Sequence, residues 1–372
     1  MAGGLTGAKR RGNLNTDDGR PGRLAPLSPP EIVAVSLMPP RPAKTFADIV
    51  PRIRRSASLL RNYAYDYRRF TRASFLNGPS SRENRKAHIH LLAHMVEHGL
   101  SLRDPRPGFG MPRVAELCDE ATRYINDHGL DASAEIAVKA LVAYAAFNRD
   151  NGGGIGALAE RIAGIERRVE AARAELLGGT EDVLADEIRQ RSSMDFLDFM
   201  DARHSVRQYA DRPVAPDVIE RAVRAAQQTP SSCNRQTCRV YAFTDKEDIA
   251  RVLAFQQGHR GFGEQLGGLA IVTSDLRHWY TVGERYQGWI DGGMFAMTLT
   301  LGFHAEGLGA CMLNWSTTED IDRAMRAFVG IPDDELVITM IGFGHMPERF
   351  KVPRSQRKPL DDVLRLSPTL PR

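Results

Sequence analysis

Residues 203–207 of the chain read Arg-His-Ser-Val-Arg and follow a short amphipathic segment that begins at Asp195. Two arginines four positions apart, with a serine between them, offer guanidinium and hydroxyl donors that match the oxygens of a phosphate group. A hydrogen bond to a charged group of this kind contributes about 1.5–3 kcal/mol. Taken alone, the motif is short and is also typical of a solvated basic turn, so its meaning depends on the motifs around it.

Three further motifs follow in chain order. Residues 229–236 (TPSSCNRQ) form a polar loop whose hydroxyl and amide groups suit a heterocycle with alternating donors and acceptors. Residues 307–313 (GLGACML) carry glycines that let the backbone approach a flat ligand closely. Residues 342–347 (GFGHMP) are followed, further along the chain, by Arg354 and Arg357. All four motifs lie in the C-terminal half of the chain.

The pattern of apolar residues in this half indicates a layered α+β domain. Helical windows alternate with β-rich runs at residues 239–243, 269–273 and 336–341. A long helix is predicted from Tyr286 to Ala305, and it carries small residues such as Gly292. Small residues let another helix approach closely, so they would serve either a contact between subunits or packing within the chain.

The ordered set of four motifs resembles the nitroreductase family of FMN-dependent oxidoreductases, over residues 193–366. The resemblance implies a nitroreductase-like FMN-binding fold of the α+β class, with a central sheet flanked by helices. It also implies a homodimer with two flavin sites at the interface, in which the helix with Gly292 and Ala296 is the central dimer helix. FMN is therefore the expected cofactor, and NAD(P)H is the expected electron donor.

The resemblance assigns roles residue by residue. Arg203 and Ser205 correspond to ligands of the flavin phosphate and ribityl chain, and Arg207 corresponds to the cation beside the N1–O2 edge of the ring. The loop 229–236 corresponds to one that the partner subunit lends to the same flavin, although Thr237 stands where the family often has proline. The expected flavin-binding residues are Arg203, His204, Ser205, Arg207, Pro230, Ser231, Ser232, Asn234, Gln236, Met312, Leu313, Arg354 and Arg357. No side chain is assigned as a catalytic acid or base, because the flavin itself carries the bond-making.

The resemblance implies hydride transfer from NAD(P)H, through the flavin, to a small organic acceptor such as a nitroaromatic compound, a quinone or another metabolite. A cation fixed beside the N1 edge, such as Arg207, would stabilise the negative charge of reduced flavin. Two alternatives stay open: a flavin-dependent oxidase or dehydrogenase of a biosynthetic intermediate, and a flavin-binding scaffold with little turnover. Residues 94–101 and 105–110 resemble the front of nitroreductase-like proteins linked to surface polysaccharide synthesis, which would bear on the substrate rather than on the reaction.

The wall of the acceptor pocket is expected to come from residues 255–289. Four aromatic residues lie in or at the end of this segment, namely Trp279, Tyr280, Tyr286 and Trp289. They would either stack on a planar acceptor or belong to the hydrophobic core, and the sequence leaves this choice open.

The N-terminal half has a different composition. Residues 1–55 hold ten Lys/Arg, four Asp/Glu and eight of the 21 prolines, which predicts a disordered basic tail. This tail carries a charge of +6 and the rest of the chain carries −2, so binding of nucleic acid by a basic folded surface is not expected. Residues 56–192 show apolar residues at three- and four-residue spacing, which predicts a helical domain and a connecting helix.

Other patterns argue against metal, dinucleotide and membrane sites. Residues 152–156 (GGGIG) lack the Gly-x-Gly-x-x-Gly spacing and predict a hinge between helices. His90, His94 and His98 would share one helical face, which could bridge zinc but is more often simply polar, so no metal ligand is assigned. The four cysteines match no zinc site and are expected to be free thiols. No apolar run reaches the roughly 20 residues that cross a bilayer, and a cytoplasmic protein is therefore expected.

Overall fold

The computed structural model describes residues 46–102, 104–170, 194–353, 355, 357 and 359–367, together with four single positions between 180 and 188. Most of the predicted tail, the end of the predicted connecting helix at Leu177, and Arg354 lie outside the described residues. The first helix begins at Phe46, so the last part of the segment assigned to the tail is helical. The domain boundary expected near residue 192 stays a prediction.

Residues 54–372 belong to one compact unit. The helices before residue 171 are α1 (Phe46–Ala73), α2 (Arg82–Leu100), α3 (Met111–His128), α4 (Ala132–Asp150) and α5 (Ala157–Glu170). The helices after residue 194 are α6 (Phe196–Ala202), α7 (Pro216–Gln227), α8 (Lys246–Leu253), α9 (Gln287–Ala305), α10 (Glu319–Val329) and α11 (Leu360–Val363). The strands are β1 (Cys238–Phe243), β2 (Gly268–Asp275), β3 (Leu308–Asn314) and β4 (Glu335–His345).

Helices α2 to α5 pack around an apolar core of their own. Ile89, Leu92, Leu141 and Tyr144 are buried there, as their spacing predicts, whereas Met95 is 44% exposed. Short polar side chains start the helices, because free backbone N–H groups need acceptors. Ser81 Oγ accepts a hydrogen bond from Asn84 N at 3.1 Å to begin α2, and Asp131 caps α4 in the same way. Residues 151–156 join α4 to α5, which confirms the predicted link between helices.

The four strands form an antiparallel sheet in the order β1-β2-β4-β3. The β-rich runs at 239–243, 269–273 and 336–341 are strands β1, β2 and β4, so these predictions are confirmed. Strand β3 was not predicted as a strand, because its glycines weaken the β pattern of residues 307–313. Gly307 has φ +74° and makes the sharp turn between α9 and β3.

Helices cover both faces of this sheet, as the α+β prediction requires. One face packs against α7 and α9 through a core that includes Ala270, Val272, Ile341 and Phe343. The other face packs against α8 and α10 through a core that includes Leu269, Ile271, Leu313 and Met340. Within the described residues, no helix is both long and apolar enough to cross a membrane.

The long helix α9 uses its small residues inside the chain. A Cβ on Gly292 would lie 2.5 Å from Ile338 of β4, and a Cβ on Gly302 would lie 2.9 Å from the carbonyl of Ala222 on α7. Ala296 is also buried against the sheet. Gly292 and Ala296 themselves therefore pack within the chain, and the role of α9 as the central dimer helix stays a prediction. The exposed side of α9 instead carries the large apolar residues Trp289, Ile290 and Met294.

A buried ionic cluster joins α1 to α10. The Asp322 carboxylate accepts hydrogen bonds from the Tyr65 hydroxyl at 2.7 Å and from Arg326 Nε at 3.0 Å. Trp315 Nε1 adds a third at 2.8 Å, and Arg69 Nη1 lies 3.7 Å away. Burial raises the pKa of Asp322, but these donors and cations outweigh it and hold the pKa below its usual value.

Asp322→Asn should therefore destabilise the protein by about 3 kcal/mol, because it removes the buried counter-charge beside Arg69 and leaves Arg326 with Asp333 alone. Since its folded-state pKa is depressed, Asp322 contributes stability above its unfolded pKa of about 4 and loses it as the pH falls through the folded-state value. Urea unfolding at pH 7 and pH 3 should show the difference between wild type and variant shrinking in acid. Asp320→Asn, at a mostly exposed position on the same helix, is the matched control and should change little. An equal loss at both positions would contradict the role given to the buried cluster.

Candidate functional site

The predicted anion-binding segment lies along the outer edge of β3. Val206 N donates a hydrogen bond to the carbonyl of Ala310 at 3.0 Å, and Ser205 pairs with Ala310 in a parallel bridge. Val206 is buried, whereas Arg203 and Ser205 are partly exposed and Arg207 is exposed. Because side chains alternate along an extended chain, Arg203, Ser205 and Arg207 share one side.

Tyr209 fixes this segment to the sheet. Its hydroxyl lies 2.6 Å from the carbonyl of Val206 and 3.3 Å from that of Gly342. Burial raises the pKa of Tyr209, so the hydroxyl stays protonated and can donate. Reasoning from the sequence missed this residue, since a tyrosine two positions after an arginine carries no signal of its own.

None of the described residues neutralises the positive charge of the segment. Neither Arg203 nor Arg207 forms an ion pair with any described residue, and Arg203 Nε is buried without a hydrogen-bond partner. A small cavity of about 50 Å³ is lined by Arg203, His204, Gly309, Met346 and neighbouring residues. Both arginines act on the buried Cys311 thiol, where burial raises the pKa and the two cations lower it in part. An oxyanion placed at this edge would satisfy donors that the protein leaves open.

Gly309 lets the segment lie close to β3. A Cβ at this position would be 2.8 Å from Val206 and 2.9 Å from Met346. Contacts of that length do not occur between real side chains, so a larger residue would push residues 203–207 away from the strand. Gly309 therefore serves close packing against Val206 and Met346. The sequence predicted instead that these glycines let the backbone approach a flat ligand.

The other residues expected to bind the flavin on this side differ in how exposed their side chains are. Leu313 points into the hydrophobic core, so only its backbone is available to a ligand, whereas the side chain of Met312 is 39% exposed. His204 and Arg357 are exposed. Arg354 lies outside the described residues, and its role stays a prediction.

The second predicted segment is a loop with an unusual backbone. Cys233, Asn234 and Gln236 have φ values of 52°, 51° and 50°, in the left-handed region that non-glycine residues avoid. The loop is held internally, since Ser231 Oγ accepts a hydrogen bond from Gln236 N at 3.0 Å. It is also tied to α9, because Ser232 N donates to the Asp291 carboxylate at 3.0 Å.

Two buried residues, Thr237 and Arg235, anchor this loop to the rest of the domain. Thr237 is fully buried, with its hydroxyl 2.9 Å from Ser274 Oγ on β2, which accounts for a polar residue where proline is usual. The Arg235 side chain is also fully buried and lies 2.8 Å from Glu284. By contrast, Pro230, Asn234 and Gln236 are exposed and free to face a ligand. The sequence could not distinguish Arg235 from its exposed neighbours, because burial of a loop arginine depends on distant residues.

The two predicted halves of the site do not meet within one chain. Residues 203–207 lie beside β3, and the loop 231–236 leads into β1, at the opposite edge of the sheet. With about 4.8 Å between neighbouring strands, β1 and β3 are about 14 Å apart. Within one copy of the chain, the two segments therefore lie at opposite edges of the sheet.

The histidine row on α2 does not converge on one point. His90 Nε2 is 3.0 Å from Ser133 Oγ, and His98 is exposed, so these side chains have separate surroundings. Another group, Glu83, Asp275 and His278, has ligand atoms within 4.8 Å of one another. In this group, the Asp275 carboxylate already accepts hydrogen bonds from Arg277 at 2.7 and 2.9 Å. The local charge therefore does not favour a cation.

The four aromatic residues have different surroundings. Trp279 is fully buried and belongs to the core, while Tyr280, Tyr286 and Trp289 are 38%, 56% and 42% exposed. A separate open cavity of about 600 Å³ lies where β3 ends. It is lined by Phe255, Gln256, Gln257, Gly258, Asn314, Trp315, Ser316, Thr317, Thr318 and Ile321. None of these residues is charged.

Comparison with known proteins identifies the C-terminal part of the chain. Residues 200–260 and 269–345 match the model of the nitroreductase family. A protein of Archaeoglobus fulgidus, named as a candidate NADH dehydrogenase/NAD(P)H nitroreductase, is 26% identical over 148 residues, which are 38% of this chain and 80% of the relative. Residues 200–260 and 269–345 are therefore similar to the nitroreductase family, and helices α1 to α5 lie outside the matched residues.

Solved structures of similar proteins align with about half of the chain. A candidate nitroreductase of Desulfovibrio desulfuricans in complex with FMN is 21% identical, with a TM-score of 0.41, over 48% of this chain and 100% of that one. A candidate NADH dehydrogenase/NAD(P)H nitroreductase of Parabacteroides distasonis is 22% identical, with a TM-score of 0.40, over 46% of this chain and 98% of that one.

Gly309→Ala should destabilise the protein by about 1–3 kcal/mol, because its methyl group overlaps Val206 and Met346. Gly164→Ala is the matched control, since α5 leaves open space at that position and alanine is the better helix former by about 1 kcal/mol. Urea unfolding should show opposite signs for the two variants. If Gly309→Ala were as stable as wild type, residues 203–207 would not pack as closely as the structure shows.

Proposed function

We propose that this protein is an FMN-dependent oxidoreductase of nitroreductase type. The observation that carries the proposal is the pair of arginines, Arg203 and Arg207, which have no acidic partner among the described residues and lie in a segment that matches the nitroreductase family. The named activities of the relatives, as nitroreductases and NADH dehydrogenases, support the same reaction class.

The residues present fit FMN. Arg203 has a buried donor without a partner beside a small cavity, which suits a phosphate oxygen, and Ser205 lies on the same side of the extended segment. Arg207 is exposed two positions further along and would place positive charge near the ring. Bound FMN would supply hydride acceptance and donation, for which NAD(P)H is the proposed donor. The role of the protein is then to hold the cofactor and to fix a cation where negative charge develops.

We further propose that each site is shared between two copies of the chain. Residues 203–207 of one copy would face the loop 231–236 of the other, because the sheet separates these segments within a single copy. The exposed apolar side of α9, with Trp289, Ile290 and Met294, is the proposed contact between the copies. A helix whose outer face carries large apolar residues gains stability when that face is covered.

The cavity at the end of β3 is the proposed acceptor site. Its lining includes Asn314, the last residue of the strand that carries Met312 and Leu313, so an acceptor there would lie next to the ring. Its lining combines Phe255 and Trp315 with amide and hydroxyl groups and contains no charge. This favours a neutral, planar acceptor with hydrogen-bonding oxygens, such as a quinone or a nitroaromatic compound.

The reaction is tested on purified protein loaded with FMN under exclusion of oxygen. Addition of NADPH or NADH should bleach the flavin absorbance within seconds, and a quinone should restore it. Flavin that stays oxidised with both nucleotides, but is reduced by another organic substrate, would favour an oxidase or dehydrogenase instead. Protein that cannot be loaded with FMN at all would refute the proposal.

The shared site is tested by mixing two inactive variants. Arg203→Ala and Asn234→Gly each damage one half of both sites in a homodimer, so each alone should hold FMN at least tenfold more weakly, by loss of about 1.5–3 kcal/mol. Glycine keeps the left-handed conformation of residue 234, so the loop itself is preserved. In mixed dimers one of the two sites is intact, so tight FMN binding should return to a fraction of the sites.

Arg224→Ala, at an exposed position on α7, is the control for loss of one arginine and should retain FMN. If mixing the two variants restored no binding although mixed dimers form, the two segments of each site would have to come from the same copy, and the shared arrangement would be wrong.

A further inference from the structure

We propose that helices α1 and α2, with the turn that joins them, position the loop 231–236. They act through residues 277–280 and Arg235. These two helices lie outside the segments that match the nitroreductase family, so the family match does not assign them a role. This inference rests on the proposed function, because the loop is one half of the proposed flavin site. It names Arg235 and Tyr280 as positioning residues.

The loop requires support from its surroundings. Three of its residues, Cys233, Asn234 and Gln236, have left-handed backbones without being glycine. Such conformations are strained and persist only where neighbouring structure holds them in place. The hydrogen bonds from Gln236 N to Ser231 Oγ and from Ser232 N to the Asp291 carboxylate fix the two ends of the loop, whereas its centre depends on Arg235.

Arg235 connects the loop to residues 277–280. Its Nη1 donates a hydrogen bond to the carbonyl of His278 at 3.0 Å. Its guanidinium carbon lies 5.2 Å from the ring centre of Trp279 and 5.2 Å from that of Tyr280. A cation buried against two aromatic faces is strongly localised, since both the charge and the rings favour that arrangement.

Helices α1 and α2 and the turn between them in turn contact residues 277–280. Asn84 Nδ2, at the start of α2, donates to the carbonyl of Arg277 at 2.7 Å and to that of Ala73, at the end of α1, at 3.1 Å. Phe75 N donates to the carbonyl of Trp279 at 3.0 Å. The Phe75 ring also stacks on Tyr280, with 5.7 Å between centres and 21° between planes. The turn between α1 and α2 therefore contacts the same residues that hold Arg235.

A second contact runs directly from α2 to the loop. His90 lies between Ser133 Oγ, 3.0 Å from its Nε2, and the backbone of Asn234. Its Nδ1 is buried and makes no hydrogen bond of normal geometry to a described residue. Burial lowers the pKa of His90, against the raising effect of the Asn234 backbone, so the ring is neutral at pH 7. The helical extension thus contacts the loop on two sides.

The decisive variants are Tyr280→Leu and Tyr280→Phe in the full chain. Tyr280 is 38% exposed, so either change should leave the protein folded. Leucine removes the ring between Arg235 and Phe75, and FMN affinity should fall about tenfold. Phenylalanine keeps the ring and should retain wild-type affinity. Affinity is measured by titration of flavin fluorescence, and hydrogen exchange of the amides 232–236 in the FMN-free protein should be faster only in Tyr280→Leu.

Arg235→Met should have a larger effect in both measurements, and Tyr67→Leu, at a 68% exposed position on α1, is the control for loss of a tyrosine from the extension. If Tyr280→Leu binds FMN as wild type does and its loop amides exchange at the same rate, the positioning role is refuted while the proposed function stands. Equal weakening by Tyr67→Leu would also refute it, since general destabilisation would then explain the effect. Wild-type protein that cannot bind FMN would instead refute the proposed function, and this inference with it.

Discussion

The antiparallel sheet order β1-β2-β4-β3 constrains everything else in the C-terminal half. It places the polar loop before β1 and the arginine segment beside β3 at opposite edges, with the helices α7 and α9 on one face between them. Within one copy of the chain the sheet keeps these two segments apart, with about 14 Å between β1 and β3. In the proposed dimer, the arginine segment beside β3 would bind the flavin, and the apolar side of α9 would form the contact between the two copies.

The helical extension is joined to this sheet by buried polar contacts rather than by a broad apolar surface. Asp322 and Arg326 hold α1, and Asn84 holds the start of α2 against Arg277. Such contacts require accurate positioning, because a buried charge or amide that loses its partner lowers the stability of the protein. They fix the position of the extension more narrowly than apolar packing alone, which accommodates small shifts.

Much of the fold could be predicted from the sequence because its signals are local. The strands β1, β2 and β4, the helix from Gln287 to Ala305 and the helix link at 151–156 all follow from apolar spacing and glycine positions. The direction in which side chains point could not be predicted where it depends on distant partners. Gly292 faces Ile338 rather than a second subunit, Leu313 faces the core, and Trp279 is buried. Arg235 is the clearest case, since its burial requires residues 43–49 positions away in the chain.

The exposed apolar side of α9 has a consequence for how the protein responds to its own concentration. If the site is completed only across that surface, association of the two copies and binding of the cofactor are linked equilibria, and each stabilises the other by mass action. Dilution would then lower the flavin content even at constant affinity of the assembled site. Free cofactor would conversely hold copies together that would separate without it, so that the amount of flavin sets the size of the particle.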